Sequence, residues 1–184
     1  MTAIINKSKP VVVALAISGL LVVCLLVFDN PPMPQSISWT NTGRDTSLLP
    51  TDIAAPEFTL PTARGKEIRL ADLKGKQVGL VFVTAACPYC NKLEEQLKTL
   101  SFSQDRQLLI ICRGGKTDAQ KIEQTHVLAF PVLVDSTGVI HQAYKVAGVP
   151  LVYIVDEEGK IMAGTTGMPG AWEMIEKFQV KGET

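Results

Sequence analysis

The run Val78-Gly79-Leu80-Val81-Phe82-Val83 is apolar throughout, and only three residues separate it from Cys87-Pro88-Tyr89-Cys90. Such a run, bounded by the Gly75-Lys76 turn on one side and Cys87-Pro88 on the other, predicts a central strand buried on both faces. A helix is expected directly after it. From Tyr89 to about Leu100, the residues Leu93, Leu97 and Leu100 recur at helical spacing, and Lys92, Glu94, Glu95 and Lys98 read as the solvated side. A paired-cysteine motif is thereby placed where a buried strand turns into a helix.

The remaining pattern is α/β. Glu57-Phe58-Thr59-Leu60 and Glu67-Ile68-Arg69-Leu70 alternate around Arg64-Gly65-Lys66 as an N-terminal β-hairpin. Leu108 to Cys112 reads as a second buried strand, and Thr117-Asp118-Ala119-Gln120 as a capping box opening a helix towards Thr125. Strand, helix, strand, helix predicts a parallel core. Pro131 to Val134, the turn Asp135-Ser136-Thr137-Gly138 and a short segment around Ala143-Tyr144 lead to Gly148-Val149-Pro150. Leu151 to Val155 and Lys160 to Ala163 then flank Asp156-Glu157-Glu158-Gly159 as a hairpin, and Trp172 to Phe178 closes the chain as an amphipathic helix.

Upstream of this domain, Val11 to Phe28 holds no charge and only Ser18 as a polar side chain. Eighteen helical residues cover about 27 Å, close to the thickness of a bilayer's hydrocarbon layer. Lys7 and Lys9 precede the segment while the next positive charge after it is Arg44, so the expected orientation is N-terminus in. Val27-Phe28-Asp29-Asn30 offers no small-residue cleavage site, which favours an uncleaved signal-anchor over a removed signal peptide. Cys24 reads as a lipid-facing thiol within the span. The expected layout is residues 1–10 as a cytoplasmic tail, 11–28 as a single transmembrane helix, 29–50 as a Pro-rich tether and 51–184 as one extracytoplasmic domain. The exported part carries 16 basic residues against 18 acidic ones. That balance argues against a nucleic-acid binder, which needs a basic excess to neutralise phosphates.

Cys87 and Cys90 carry the chemistry. At a helix N-terminus, unpaired N–H groups and the positive end of the macrodipole favour a thiolate, which makes Cys87 the attacking sulfur. Cys90 lies one turn on, placed to close a disulfide with Cys87 or to resolve a mixed disulfide formed there. Pro88 suits the first turn. A static disulfide is a weaker reading, because so short a loop constrains the unfolded chain little. A zinc site would have to recruit Cys112, His126 or His141, none of them in a second paired motif, so no metal is expected. Cys112, ending a buried strand, reads as a structural core thiol.

These residues resemble the thioredoxin superfamily. Ala55-Pro56-Glu57-Phe58-Thr59-Leu60-Pro61, the Leu73-Lys74-Gly75-Lys76 turn, the Cys87–Cys90 motif, Val149-Pro150 and Asp156-Glu157-Glu158-Gly159 are more closely similar to membrane-anchored TlpA/ResA-type thiol-disulfide oxidoreductases, near the methylamine-utilisation accessory protein D branch. The resemblance implies a thioredoxin-like sheet of four or five strands flanked by helices, and no cofactor beyond the cysteine pair. It implies a cis Pro150 facing the active disulfide, with the Val149 main chain pairing to an extended segment of the substrate beside Pro88 and Tyr89. Implied partners are exported proteins with cysteines and a membrane redox protein that recycles the pair.

The departures from that family are specific. Ala86 stands where many members have Trp, and Val81 and Leu93 stand where members carry a buried acid for proton transfer. Glu94 is one place off and is expected on the surface, leaving water or Glu95 to accept the Cys90 proton. Two rival functions follow from single features. Thr84, three before Cys87, fits a thiol peroxidase of the peroxiredoxin type, although Leu80 replaces the proline those enzymes use. A metal-delivering binding module would use both thiolates but lacks accompanying Met or His. The direction of disulfide exchange stays open in the sequence, with a lean to reductant or isomerase.

Overall fold

The computed structural model describes residues 48–179, so the expected membrane span at 11–28 and most of the tether lie outside the described residues. No helix among the described residues is long and apolar enough to cross a membrane. The N-terminal hairpin forms as β1 (Thr59–Pro61) and β2 (Glu67–Arg69), paired antiparallel with Leu60 opposite Ile68. After a 3-10 turn at Leu70–Leu73, the main sheet begins with β3 (Gln77–Val83).

A five-stranded sheet is built from β3, β4 (Arg106–Arg113), β5 (Val132–Asp135), β6 (Leu151–Val155) and β7 (Ile161–Thr166), in the order β5-β4-β3-β6-β7. β3 is its centre. It runs parallel to β4, with Val81 opposite Ile110, and antiparallel to β6, with Val81 opposite Val152. Two strand neighbours and helices on its faces are what an unbroken apolar run requires. The helices are α1 (Pro88–Leu97), α2 (Lys116–His126), the short α3 (Val139–Ala143) and α4 (Gly170–Phe178).

Strand alternation divides the core in two. Val81, Val83, Ile110 and Cys112 point to one face and pack with Cys90, Leu93 and Leu97 of α1, Ala119 and Ile122 of α2, and Ile175 and Phe178 of α4. Leu80, Phe82, Leu109 and Ile111 point to the other and meet Phe58, Leu60, Tyr144 and Tyr153. Gly79 is required by the first packing. A Cβ there would stand 2.7 Å from Leu108 Cδ1 and 3.1 Å from Phe178 Cε1, so only glycine lets α4 approach this closely.

Three boundaries differ from the sequence expectation. Leu48 and Leu49, read as the end of the tether, are buried at 8% and 6% exposure, and Leu49 N–H donates to the Tyr153 hydroxyl at 2.8 Å. The folded domain therefore starts by Leu48. α2 begins at Lys116 with Gly115 as its N-cap, because Asp118, the third helical residue, takes the Gly115 N–H at 2.9 Å. Thr117 is inside the helix, not its cap. α1 stops at Leu97, which leaves Leu100 beyond its end and only half-buried.

Candidate active site

β3 ends at Val83 and delivers the chain through Thr84, Ala85 and Ala86 to Cys87, the N-cap of α1. Cys87 has extended backbone angles, φ −90° and ψ 114°, and its Sγ accepts the Cys90 N–H at 3.2 Å. One of the helix's orphan donors is thus spent on the sulfur. Cys87 is half-buried, while Pro88 and Tyr89 are exposed, Tyr89 at 59%. Lys92 Nζ lies 5.9 Å from the centre of the Tyr89 ring, a cation–π approach.

Cys90 is fully buried one turn deeper, and both cysteines are free thiols. Burial, followed by its interaction with the Cys87 side chain, pushes the Cys90 thiol well above its ordinary value. Cys90 therefore holds its proton at neutral pH and needs an acceptor before it can attack.

The Val149–Pro150 peptide is cis, and the Cys87 thiol donates to the Val149 carbonyl at 3.6 Å. Val149 is half-buried and Pro150 buried. A second cis bond, Met168–Pro169, was not anticipated from the sequence. Cys112 sits in β4 opposite Val83 and Val134, fully buried, with its thiol pushed up to about 12 by burial first and the Asp118 charge second.

Glu94 departs most from the sequence reading. It is not on the solvated face but 0% exposed, and burial raises its carboxyl to about 7. The cause is the packing of α1 against both the sheet and α2, which buries the stripe Cys90, Leu93, Glu94 and Leu97. That i, i+3, i+4, i+7 spacing is the full buried face of a helix, wider than leucines alone mark out. Glu94 lies four residues from Cys90 on this face and interacts with its charge. His126, at the last position of α2, places Nε2 3.1 Å from Glu94 Oε2 and Nδ1 3.4 Å from Glu95 Oε2. His141 has a different partner: Asp135 Oδ2 lies 2.8 Å from its Nδ1 and also accepts its backbone N–H at 2.9 Å. Burial lowers the His141 imidazole's proton affinity, opposed by Asp135.

A parallel-then-antiparallel five-stranded sheet with a thiol at the head of the helix after its central strand defines the thioredoxin-like class. The AhpC/TSA family model matches residues 52–163. Thioredoxin-like protein YneN of Bacillus subtilis is 29% identical over 89% of this chain and 96% of YneN. The thiol-disulfide oxidoreductase ResA of the same organism is 32% identical over 61% of this chain, a match spanning 65% of ResA. Among solved structures, the thioredoxin domain of the thiol-disulfide oxidoreductase BVU-2223 from Bacteroides vulgatus aligns with a TM-score of 0.62 and 25% identity, covering 72% of this chain and 99% of that one. The chain belongs to the AhpC/TSA family and, within the thioredoxin superfamily, to the ResA-like thiol-disulfide oxidoreductases.

Proposed function

We propose that this protein exchanges disulfides with the cysteines of other proteins through Cys87 and Cys90. The observation that carries this reading is the placement of Cys87 Sγ at the α1 N-cap, accepting the Cys90 N–H, above a buried Cys90 that keeps its proton. The accessible sulfur at the helix N-terminus attacks. A buried neutral one resolves.

In the reducing direction, Cys87 thiolate attacks a substrate disulfide, forming a mixed disulfide and releasing one substrate thiolate. Cys90 then gives its proton to the Glu94 carboxylate and attacks Cys87 Sγ, and the second substrate thiolate leaves. Two electrons pass from the cysteine pair to the substrate, and the Cys87–Cys90 disulfide remains. The reverse sequence oxidises a partner dithiol. Glu94 supplies here the acid–base function that Val81 and Leu93 cannot, and with a carboxyl near 7 it is ionised often enough to accept and protonated often enough to return the proton. The Val149 carbonyl beside Cys87 offers a main-chain acceptor to an extended substrate segment.

In this reading Val11–Phe28 anchors the chain in the cytoplasmic membrane, the domain faces the periplasmic or extracytoplasmic side, and the substrates are exported proteins under maturation. A membrane redox partner recycles the pair. Cys90→Ser should trap substrates as mixed disulfides on Cys87, and Cys87→Ser should abolish exchange. Undiminished turnover in Cys90→Ser would remove the two-cysteine mechanism, and peroxide consumption matching disulfide exchange in rate would move the assignment to a thiol peroxidase.

A further inference from the structure

His126 joins a fully buried carboxylate to an exposed one. Its Nε2 is 3.1 Å from Oε2 of Glu94, and its Nδ1 is 3.4 Å from Oε2 of Glu95. Glu94 is sealed from water, and neither of its oxygens has a hydrogen bond among the described residues, although the imidazole Nε2 stands 3.1 Å from Oε2. Glu95 is its opposite. It lies open to solvent, and Lys98 Nζ at 2.8 Å, together with the imidazole, keeps it ionised.

A buried base that accepts a proton once per turnover must also lose it, and a carboxyl closed off from water has no direct outlet. The imidazole is the one titratable group that touches both sides of the barrier among the described contacts. It is itself buried, yet it borders two surface clefts, one lined by Asn91, Lys92, Gln96 and Met168 and the other by Ala85, Lys121 and Thr125. With its proton on Nδ1, the neutral ring can donate to Glu95 and leaves an unprotonated Nε2 beside Glu94.

We propose that His126 is the proton relay between the buried Glu94 and the protein surface, setting the rate at which Cys90 can be deprotonated or reprotonated in successive turnovers. The proposal rests on Glu94 as the acceptor of the Cys90 proton. When Cys90 attacks Cys87, its proton passes to Glu94. Nε2 of His126 then takes that proton, Nδ1 releases its own to Glu95 or water, and the ring returns to its starting tautomer when Nδ1 is reprotonated from solvent as Nε2 next discharges. No electrons move in the relay. The reverse flow reprotonates Cys90 when the disulfide is reduced. The charged and titratable groups facing the pair are Cys90 and Glu95 on α1, Cys112 on β4, Lys98 through Glu95, and Lys92 and Lys121 in the two clefts that His126 borders. His126 acts through Glu94 and touches neither cysteine in the described contacts, so it is a positioning residue for the proton.

The test uses the full-length chain with Cys24→Ser, reduced, held at about pH 6 so that Glu94 starts protonated and must discharge before it can take the Cys90 proton, and mixed with one equivalent of 5,5′-dithiobis(2-nitrobenzoate). Attack by Cys87 releases the first nitrothiolate and resolution by Cys90 releases the second, so the two steps are read separately by absorbance. His126→Gln, which keeps a polar group beside Glu94 but cannot relay, should leave the first phase unchanged and slow the second about tenfold or more. The slowing should be larger at about pH 6 than at about pH 8, where Glu94 starts ionised and can accept the Cys90 proton without first discharging. In His126→Ala, added imidazole should restore the second phase in proportion to its concentration through the adjoining clefts. Glu94→Gln should slow the second phase without rescue by imidazole. A slow Glu94→Gln beside a His126→Gln of normal rate and pH profile would overturn the relay and leave Glu94 as the base. A normal second phase in Glu94→Gln would overturn the base assignment itself. Equal slowing of both phases in the His126 variants, with no imidazole rescue, would make the residue merely structural and overturn the relay.

Discussion

The Cys87 thiol donates to the Val149 carbonyl at 3.6 Å, a contact between residues 62 apart in sequence. It exists because β3 and β6 are neighbours in the sheet, with Phe82 opposite Leu151, so the end of one strand and the start of the other open onto the same rim. Cys87 is therefore reached from the rim, and Cys90 is not.

This difference predicts a labelling order. In the folded reduced protein, iodoacetamide should modify Cys87 at least about tenfold faster than Cys90 or Cys112, because alkylation needs an accessible thiolate. Cys112, fully buried with its thiol at about 12, should react only after unfolding. Peptide mapping after timed quenching measures the order, and equal rates at Cys87 and Cys90 would contradict it.

Glu94 gives a pH dependence with a definite sign. Its folded-state carboxyl, about 7, is raised above the ordinary 4.5, so the folded protein binds the proton more tightly than the unfolded chain. The stability associated with that proton is fully present below about pH 4.5 and is lost as pH rises through about 7. The loss amounts to about 2–3 kcal/mol between those limits. Glu94→Gln, which carries no titrating proton, should lack this decline. Urea unfolding of both proteins from pH 4 to 8 measures it, and parallel curves would contradict it.

Gly79→Ala should destabilise the domain by about 1–3 kcal/mol, since the new methyl meets Leu108 at 2.7 Å and the Phe178 ring at 3.1 Å in a closed core. Chemical denaturation compares the two proteins. A neutral effect would mean that α4 shifts freely on the sheet.

Leu48 and Leu49 fasten the chain before β1 to the aromatic side of the core. A domain starting at Thr51 should be less stable than one starting at Leu48 by about 2–4 kcal/mol, from the apolar area of two leucines and the lost bond to Tyr153. Denaturant midpoints of the two fragments check this, and equal midpoints would contradict it.

The strands and the cysteine pair were legible in the sequence because local signals coincide there: an unbroken apolar run needs a two-sided burial, and Cys-Pro-Tyr-Cys marks the helix start beyond it. The hairpins around Arg64-Gly65-Lys66 and Asp156-Glu157-Glu158-Gly159 were legible for a similar reason, since alternation and turn residues act within a few positions. Glu94 is hidden from a sequence reading because a charged side chain signals solvent by its type, whereas the fold buries it. Its spacing from Cys90 and Leu97 was the available signal, and the leucine stripe extended to Leu100 obscured it. In the sequence His126 reads only as a candidate ligand, and its pairing with Glu94 is illegible there because α2 and α1 meet only in the tertiary structure. The start of α2 shifted because a glycine with an extended backbone and an acceptor at Asp118 caps a helix as well as a Thr does.

The redox pairing of Cys87 with Cys90 is best measured by equilibrating the full chain against glutathione buffers of stepped ratio, quenching with acid and mapping disulfides by mass spectrometry. The expected result is one reversible two-electron couple, joining Cys87 to Cys90 and absent from Cys87→Ser, within the range of about −270 to −120 mV spanned by thioredoxin-fold oxidoreductases. A pair that stays reduced across all ratios, or a reversible disulfide that maps to other cysteines, would contradict it.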